Sequence, residues 1–270
     1  MSTLLYAVFG DPITHSLSPK LHHSFAESCG IQLEFRKIQC PAGGLSKALA
    51  QFQAEGGIGA CLTAPLKVEG FGLCSQHTEA AYSIQCVNTV KHESGHWLGH
   101  STDSQAFFRD CERLGINWSR SRVALLGAGG AAQSIFPSLV AKNPKALVIY
   151  NRTHANAAGM IKNADAQFSG MDEEQEPFDV VIHASSLRRG LYPIPAALVK
   201  GAFVYDLNYT ATGVTMFTEW ALENGAARAV DGWGMLVYQG AEAFAWWHGV
   251  MPDVERLVNS PAFLELDTYL

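Results

Sequence analysis

Strand-length apolar runs alternate with longer helix-compatible segments through most of this chain, and glycine or proline marks many of the changeovers. Residues 4–9 read as a strand, 19–29 as a helix closing at Gly30, and 45–54 as a second helix stopped by Gly56 and Gly57. A strand at 58–63 follows, with Pro65 placed in the first turn of the next helix. Residues 86–91 and 96–99, joined through Glu93, Ser94 and Gly95, have the pattern of a short hairpin. A helix over 102–114 ends at Gly115 and leads to a strand from Arg122 and a helical segment over 131–142. Further strands are predicted at 146–150, 179–184 and 203–207, and closing helices at 234–248 and 252–257. Such alternation predicts an α/β fold, with mainly parallel sheet covered by helices rather than a barrel of hairpins.

Length divides this pattern. A chain of 270 residues buries a large core and ordinarily forms two domains. The expected layout is a discontinuous domain, 1–102 plus 234–270, interrupted by a nucleotide module at 103–233, with a small-molecule substrate in the cleft between them. Charge removes one class of partner. Only 16% of residues are charged, the net charge is −6, and there is no long basic run, so no footprint for nucleic acid exists. The cysteines at 29, 40, 61, 74, 86 and 111 form no Cys-x-x-Cys pair and read as reduced, buried thiols of a cytoplasmic protein. Apolar runs stay short of the ~18 residues of a membrane span, so no membrane partner is expected.

The most specific stretch is Arg122-Val-Ala-Leu-Leu-Gly127-Ala-Gly129-Gly130-Ala-Ala132. It reads as strand, tight turn, helix. Gly127 makes the turn, Gly129 lets the backbone approach a pyrophosphate, and Ala132 stands where the pattern needs close helix–strand packing. The pyrophosphate then sits at the positive end of the helix. At the end of the next strand, Asn151-Arg152-Thr153 replaces the acidic residue that commonly binds the NAD ribose. A cation flanked by amide and hydroxyl suits a 2′-phosphate, which points to NADP; a solvated strand-end arginine is the plainer alternative.

Moving a hydride to or from a carbon bearing oxygen also needs a group that exchanges the hydroxyl proton. Lys67 is placed at the start of a helix following a strand, and Asp103 opens another helix. If the two meet, they can share a proton and the ammonium can polarise a carbonyl. Separately, they read as a surface lysine and a charge favouring a helix N-terminus. Ser18 before Pro19 reads as an N-cap, whereas Ser16 has no capping role and suits a carboxylate. His92, His96 and His100 recur every four residues, but on a hairpin they stand roughly 13 Å apart, so no metal site is expected. Trp246, Trp247, His183 and His248 read as structural.

Taken together, the motifs resemble the shikimate dehydrogenase family along nearly the whole chain. The similarity rests on the segment Ala7 to Pro19, on Thr63-Ala-Pro65-Leu-Lys67, on Val87-Asn88-Thr89 and on Ser101-Thr102-Asp103. It continues through Gly127-Ala-Gly129-Gly130-Ala131, Asn151-Arg152-Thr153, Tyr205 to Tyr209, and Asp231 to Gln239. The resemblance implies an α/β substrate-binding domain completed by the carboxy-terminal helices, a Rossmann-type NADP-binding domain, and reversible NADPH-linked reduction of 3-dehydroshikimate to shikimate. It implies Lys67 and Asp103 as the catalytic pair. Ser16, Ser18, Thr63, Lys67, Asn88, Asp103, Tyr209 and Gln239 would hold substrate. Gly127, Ala128, Gly129, Gly130, Ala131, Asn151, Arg152, Thr153, Leu207 and Gly232 would hold NADP. A monomer or homodimer is expected.

The chain departs from the family's usual residues in several places. Cys61 and Ser101 stand where the family usually has asparagines, Ser104 replaces a glycine, His183-Ala184-Ser185 replaces an Asn-Ala-Thr, and Asn156 replaces a second arginine. Each lost amide removes hydrogen bonds worth on the order of 1 kcal/mol. Two other readings therefore stay open on sequence alone: a paralogue acting on quinate or an amino-shikimate with NAD, and a nucleotide-binding sensor that no longer catalyses. Retention of both Lys67 and Asp103 argues against the sensor.

Overall fold

The computed structural model describes residues 3–161, 166–169, 176–185, 192 and 194–259. It divides into two compact units, residues 1–106 with 237–270 and residues 107–236. The sequence pattern had placed the crossings at 102/103 and 233/234. They fall a few residues later because both lie inside helices, which carry the chain across without a loop.

The first unit contains β1 (Leu4–Gly10), α1 (Ser18–Cys29), β2 (Leu33–Gln39), α2 (Leu45–Ala54), β3 (Gly57–Leu62) and α3 (Lys67–Leu73). Next come β4 (Gln76–His77), α4 (Glu79–Ile84), β5 (Thr89–Glu93), β6 (His96–His100) and the start of α5 (Asp103–Arg113). Its sheet runs β2-β1-β3-β5-β6-β4. β1 is parallel to β2 and β3, while β5 is antiparallel to both β3 and β6. β5 and β6 form the expected hairpin, although the strand proper begins at Thr89 rather than Cys86. One face buries Phe9, Leu45, Phe52, Leu62, Leu66 and Val87. Gly57 admits the Phe52 ring, which occupies the space a Cβ there would need. Elsewhere in the unit Tyr6, His22, Phe25, Phe35 and Trp247 pack ring against ring. Trp247 also donates its indole N–H to Val90 O at 3.1 Å, which makes it the core residue its sequence context suggested.

The second unit holds most of α5, then β7 (Arg122–Leu126), α6 (Gly130–Ala141), β8 (Ala146–Tyr150), α7 (His154–Ile161), β9 (Gln167–Ser169) and β10 (Val180–His183). β11 (Phe203–Asp206), α8 (Met216–Glu223), β12 (Arg228–Val230) and the first turn of α9 (Trp233–His248) complete it. The remainder of α9 and α10 (Glu255–Asn259) belong to the first unit. All six strands are parallel, in the order β12-β11-β10-β7-β8-β9. That is the doubly wound order of two mononucleotide-binding halves, with its switch point between β7 and β10. The strands read as near-continuous apolar runs because helices cover both faces, and Val148, Tyr150, Val181 and Val204 are buried in consequence.

Four expectations shift. β2 was not foreseen; it alternates buried Leu33 and Phe35 with polar Glu34 and Arg36, the pattern of an edge strand. Short elements α4, α7, α8, β4, β9 and β12 were also missed. Pro65 lies before α3, not in its first turn, because Leu66 N–H bonds Thr63 O at 2.9 Å and closes a turn there. The final helix starts at Glu255, whose N–H is taken by the Asp253 carboxylate at 3.0 Å.

Candidate active site

In the first unit the chemistry gathers at the carboxyl ends of β1 and β3. Their loops are tied by Thr63 N–H to Phe9 O at 2.9 Å and Asp11 N–H to Ala64 O at 3.0 Å. Gly10 is required there, since Thr63 Cγ2 fills the space of a Cβ. Lys67 opens α3 and Asp103 opens α5, and Lys67 Nζ reaches Asp103 Oδ2 at 2.5 Å. The carboxylate is 7% exposed and the lysine side chain 19%, so the pair is shielded but reachable. Asn88, just before β5, fixes the other carboxylate oxygen, donating from Nδ2 to Asp103 Oδ1 at 2.7 Å. Its Oδ1 accepts Thr102 N–H at 3.0 Å and the Thr89 hydroxyl at 2.9 Å, which sets the orientation of the amide. Gln239 joins from α9, its Oε1 3.4 Å from Asn88 Nδ2.

Two opposing effects act on Lys67. Burial penalises its charge, but the Asp103 carboxylate and its hydrogen bond to Lys67 outweigh that penalty and raise its pKa. An ammonium results, aimed by a carboxylate that is itself held by an amide. Such a group can polarise a carbonyl oxygen and hand it a proton.

Sequence reading singled out Lys67, Asp103, Asn88 and Gln239, and the structure brings all four into one hydrogen-bonded cluster. Ser16, on the loop after β1, and Ser18, the first residue of α1, form their own pair. They are buried, with hydroxyls 3.2 Å apart. Ser18 is not the N-cap: Leu17 holds that position without a side-chain bond, and Ser18 N–H turns instead to Ser16 Oγ at 3.3 Å. Thr63 is half-buried beside Gly10. Tyr209 belongs to the second unit, on the loop after β11.

One participant was not anticipated. Thr102 accepts from Asn88 Nδ2 at 2.9 Å and donates to Gln239 O at 3.1 Å, bridging β5 to α9. Its position beside Asp103 was the only available signal. Cys61 Sγ lies 3.8 Å from His22 Nε2, and burial, then the Asp103 charge, push its pKa up to about 12, so it is a neutral thiol. Ser101 Oγ is buried without a hydrogen-bond partner among the described residues.

In the second unit, Gly127 ends β7 at φ +113 and packs against Ala184 O and Ser185 N, a place closed to any side chain. Gly129 and Gly130 are exposed at the start of α6 with open space where a Cβ would sit, so a pyrophosphate can approach the backbone. Ala128 is buried, and Ala131 lies half-buried in the first turn of α6. At the end of β8, Asn151 donates to Thr153 O at 2.8 Å, bending the segment while Arg152 and Thr153 remain exposed. Leu207 and Gly232 meet at the ends of β11 and β12, where the Leu207 carbonyl occupies the space of a Gly232 Cβ. These residues fit an NADP molecule: glycine backbone for the pyrophosphate and a cation for the 2′-phosphate.

A doubly wound dinucleotide-binding unit, joined in one chain to a unit with a shielded lysine–carboxylate pair, defines the class of nicotinamide-dependent oxidoreductases. Comparison with known proteins narrows the class. A model of the shikimate dehydrogenase substrate binding domain matches residues 8–90, one of shikimate/quinate 5-dehydrogenase matches 111–192, and one of the shikimate 5′-dehydrogenase C-terminal domain matches 232–257. Shikimate dehydrogenase (NADP(+)) of Colwellia psychrerythraea is 39% identical, covering 94% of each chain, and that of Xanthomonas euvesicatoria is 38% identical over 93% of this chain and 92% of its own. The crystal structure of an Ael1 enzyme from Pseudomonas putida superposes with a TM-score of 0.85 at 37% identity, covering 95% and 97% of the two chains. Shikimate 5-dehydrogenase from Thermus thermophilus, crystallised with NADP(H) and shikimate, superposes with a TM-score of 0.84 at 28% identity over 97% of this chain and all of that one. The chain belongs to the shikimate dehydrogenase family.

Proposed function

We propose that the protein catalyses the reversible NADPH-linked reduction of 3-dehydroshikimate to shikimate. The observation carrying this reading is the 2.5 Å Lys67–Asp103 pair with Asn88 clamped to the second carboxylate oxygen. Bound NADPH supplies the hydride. Lys67 gives its proton to the ketone oxygen as that oxygen gains charge, and in the reverse direction takes it back from the alcohol. Asp103 stabilises the ammonium and, with Thr63, Asn88, Tyr209 and Gln239, holds the ring hydroxyls. The Ser16 and Ser18 hydroxyls, at the N-terminal end of α1, take the carboxylate. Gly127 to Ala131, Asn151 to Thr153, Leu207 and Gly232 hold the nucleotide. The six free cysteines support action in the reducing cytoplasm. A monomer or homodimer is the proposed assembly.

Nicotinamide absorbance with shikimate, run in parallel with NADP and NAD and with quinate as a second substrate, tests this. Rapid NADP reduction with shikimate that collapses in Lys67→Ala is expected. Turnover only with quinate or only with NAD would replace the reading by that of a paralogue.

A further inference from the structure

One buried polar chain in the second unit takes no part in the roles assigned above. His183, at the end of β10, places Nδ1 2.9 Å from Asp206 Oδ1 on the neighbouring strand β11, and Nε2 2.7 Å from Ser185 Oγ. The histidine and aspartate are each 1% exposed, and the Phe217 ring stacks on the imidazole at 4.2 Å. Asp206 is thoroughly committed. Its Oδ1 also receives both nitrogens of Asn208 at 2.9 Å, and its Oδ2 receives the Thr215 hydroxyl at 2.6 Å. A carboxylate only accepts, so Nδ1 carries a hydrogen, and in the tautomer this bond selects Nε2 is the acceptor for the Ser185 O–H.

A hydroxyl whose hydrogen is committed this way offers only lone pairs to a further partner. Ser185 is half-buried and follows the carboxyl end of β10, where its backbone N lies against Gly127 at the switch point. Nucleotides bind across this point in doubly wound sheets. Arg152, after β8, lies in the half that begins at β7; Ser185 lies in the other, which takes the nicotinamide mononucleotide if Arg152 takes the adenosine phosphate. We infer that the Asp206–His183–Ser185 relay fixes Ser185 Oγ as a hydrogen-bond acceptor for the nicotinamide half of NADP, either its carboxamide N–H or a ribose hydroxyl. His183 is thereby a positioning residue for the cofactor. The inference rests on the functional reading above.

The test is NADPH fluorescence titration of the intact protein, with adenosine 2′,5′-bisphosphate as a probe lacking the nicotinamide half. Ser185→Ala and His183→Asn each weaken NADPH binding about tenfold, the scale of one lost hydrogen bond. Neither changes binding of the bisphosphate or the KM of shikimate. The double variant binds no more weakly than either single one, because both remove the same contact. His183→Gln, which still presents an acceptor toward Ser185, recovers part of the affinity. Unchanged NADPH affinity in Ser185→Ala overturns the inference, as does equal weakening for NADPH and the bisphosphate, or a lowered Tm with no change in affinity. Should His183→Asn fail to fold, Ser185→Ala decides alone. Wild-type protein that binds no NADPH overturns the functional reading instead.

Discussion

At the residue scale, the proposed chemistry turns on Lys67, whose surroundings hold a proton on it rather than strip it off. Removing it leaves Asp103 a nearly buried carboxylate without its counter-ion. Lys67→Ala is expected to lower kcat for shikimate oxidation by about a thousandfold, in the range for a lost acid–base group. Steady-state kinetics with a much smaller change in KM would support the proton-transfer role; a loss confined to KM would assign Lys67 to binding alone. The raised pKa of Lys67 gives a sign to the pH dependence. In oxidation the lysine must be neutral to accept the proton, so the rate climbs as pH rises from neutral into the alkaline range. In reduction the ammonium is fully populated at neutral pH, so that rate is flat there. A pH profile of shikimate oxidation that is equally steep in Lys67→Ala would detach the slope from this residue. Lys67 and Asp103 were legible in the sequence as two separate candidates. Their meeting was not, because 36 residues separate them and only the placement of α3 and α5 closes the gap.

Among elements, the turn between β7 and α6 has the least freedom. Gly127→Ala would put a side chain at φ +113 and against the Ala184 carbonyl. A loss of about 1–3 kcal/mol is expected from the backbone conformation alone, visible as a lower denaturation midpoint, together with weakened NADPH binding. A fully stable Gly127→Ala protein would show that the turn relaxes. This turn was readable from sequence since glycine spacing records the backbone requirement directly. Helix α2 shows the opposite case. Its bounds at 45–54 were readable, but its N-cap was not: Gly44 supplies no side chain, and the Glu69 carboxylate on α3 takes Gly43 N–H at 2.8 Å and Leu45 N–H at 2.9 Å. Glu69→Ala is expected to cost about 1 kcal/mol, as a lost cap does, measured by denaturant unfolding. No stability change would mean that water replaces the carboxylate at no cost.

For the whole molecule, the aromatic cluster containing His22 links stability to pH. Burial, with smaller contributions from His248 and His23, lowers the His22 pKa to about 3. The unfolded chain, with an ordinary histidine, then binds the extra proton first. This contribution to stability is complete above pH 6.5 and is lost progressively as pH falls toward 3, at about 1.4 kcal/mol per unit. Thermal unfolding should show a smaller drop in Tm between pH 7.5 and 5.0 for His22→Phe than for wild type, since Phe can fill the stack on Phe35 without titrating. An undiminished drop would move the effect to other groups. The sequence by itself determined the alternation of strands and helices and the glycine turn of the nucleotide-binding unit, because these are encoded in local periodicity and local backbone demands. Only the tertiary structure decided that Thr102 orients Asn88 and Asn88 holds Asp103 beside Lys67, that Glu69 caps a neighbouring helix, and that His183 joins Asp206 to Ser185. Those interactions lie between elements distant in the chain, and their existence depends on the register and packing of strands, which no local pattern records.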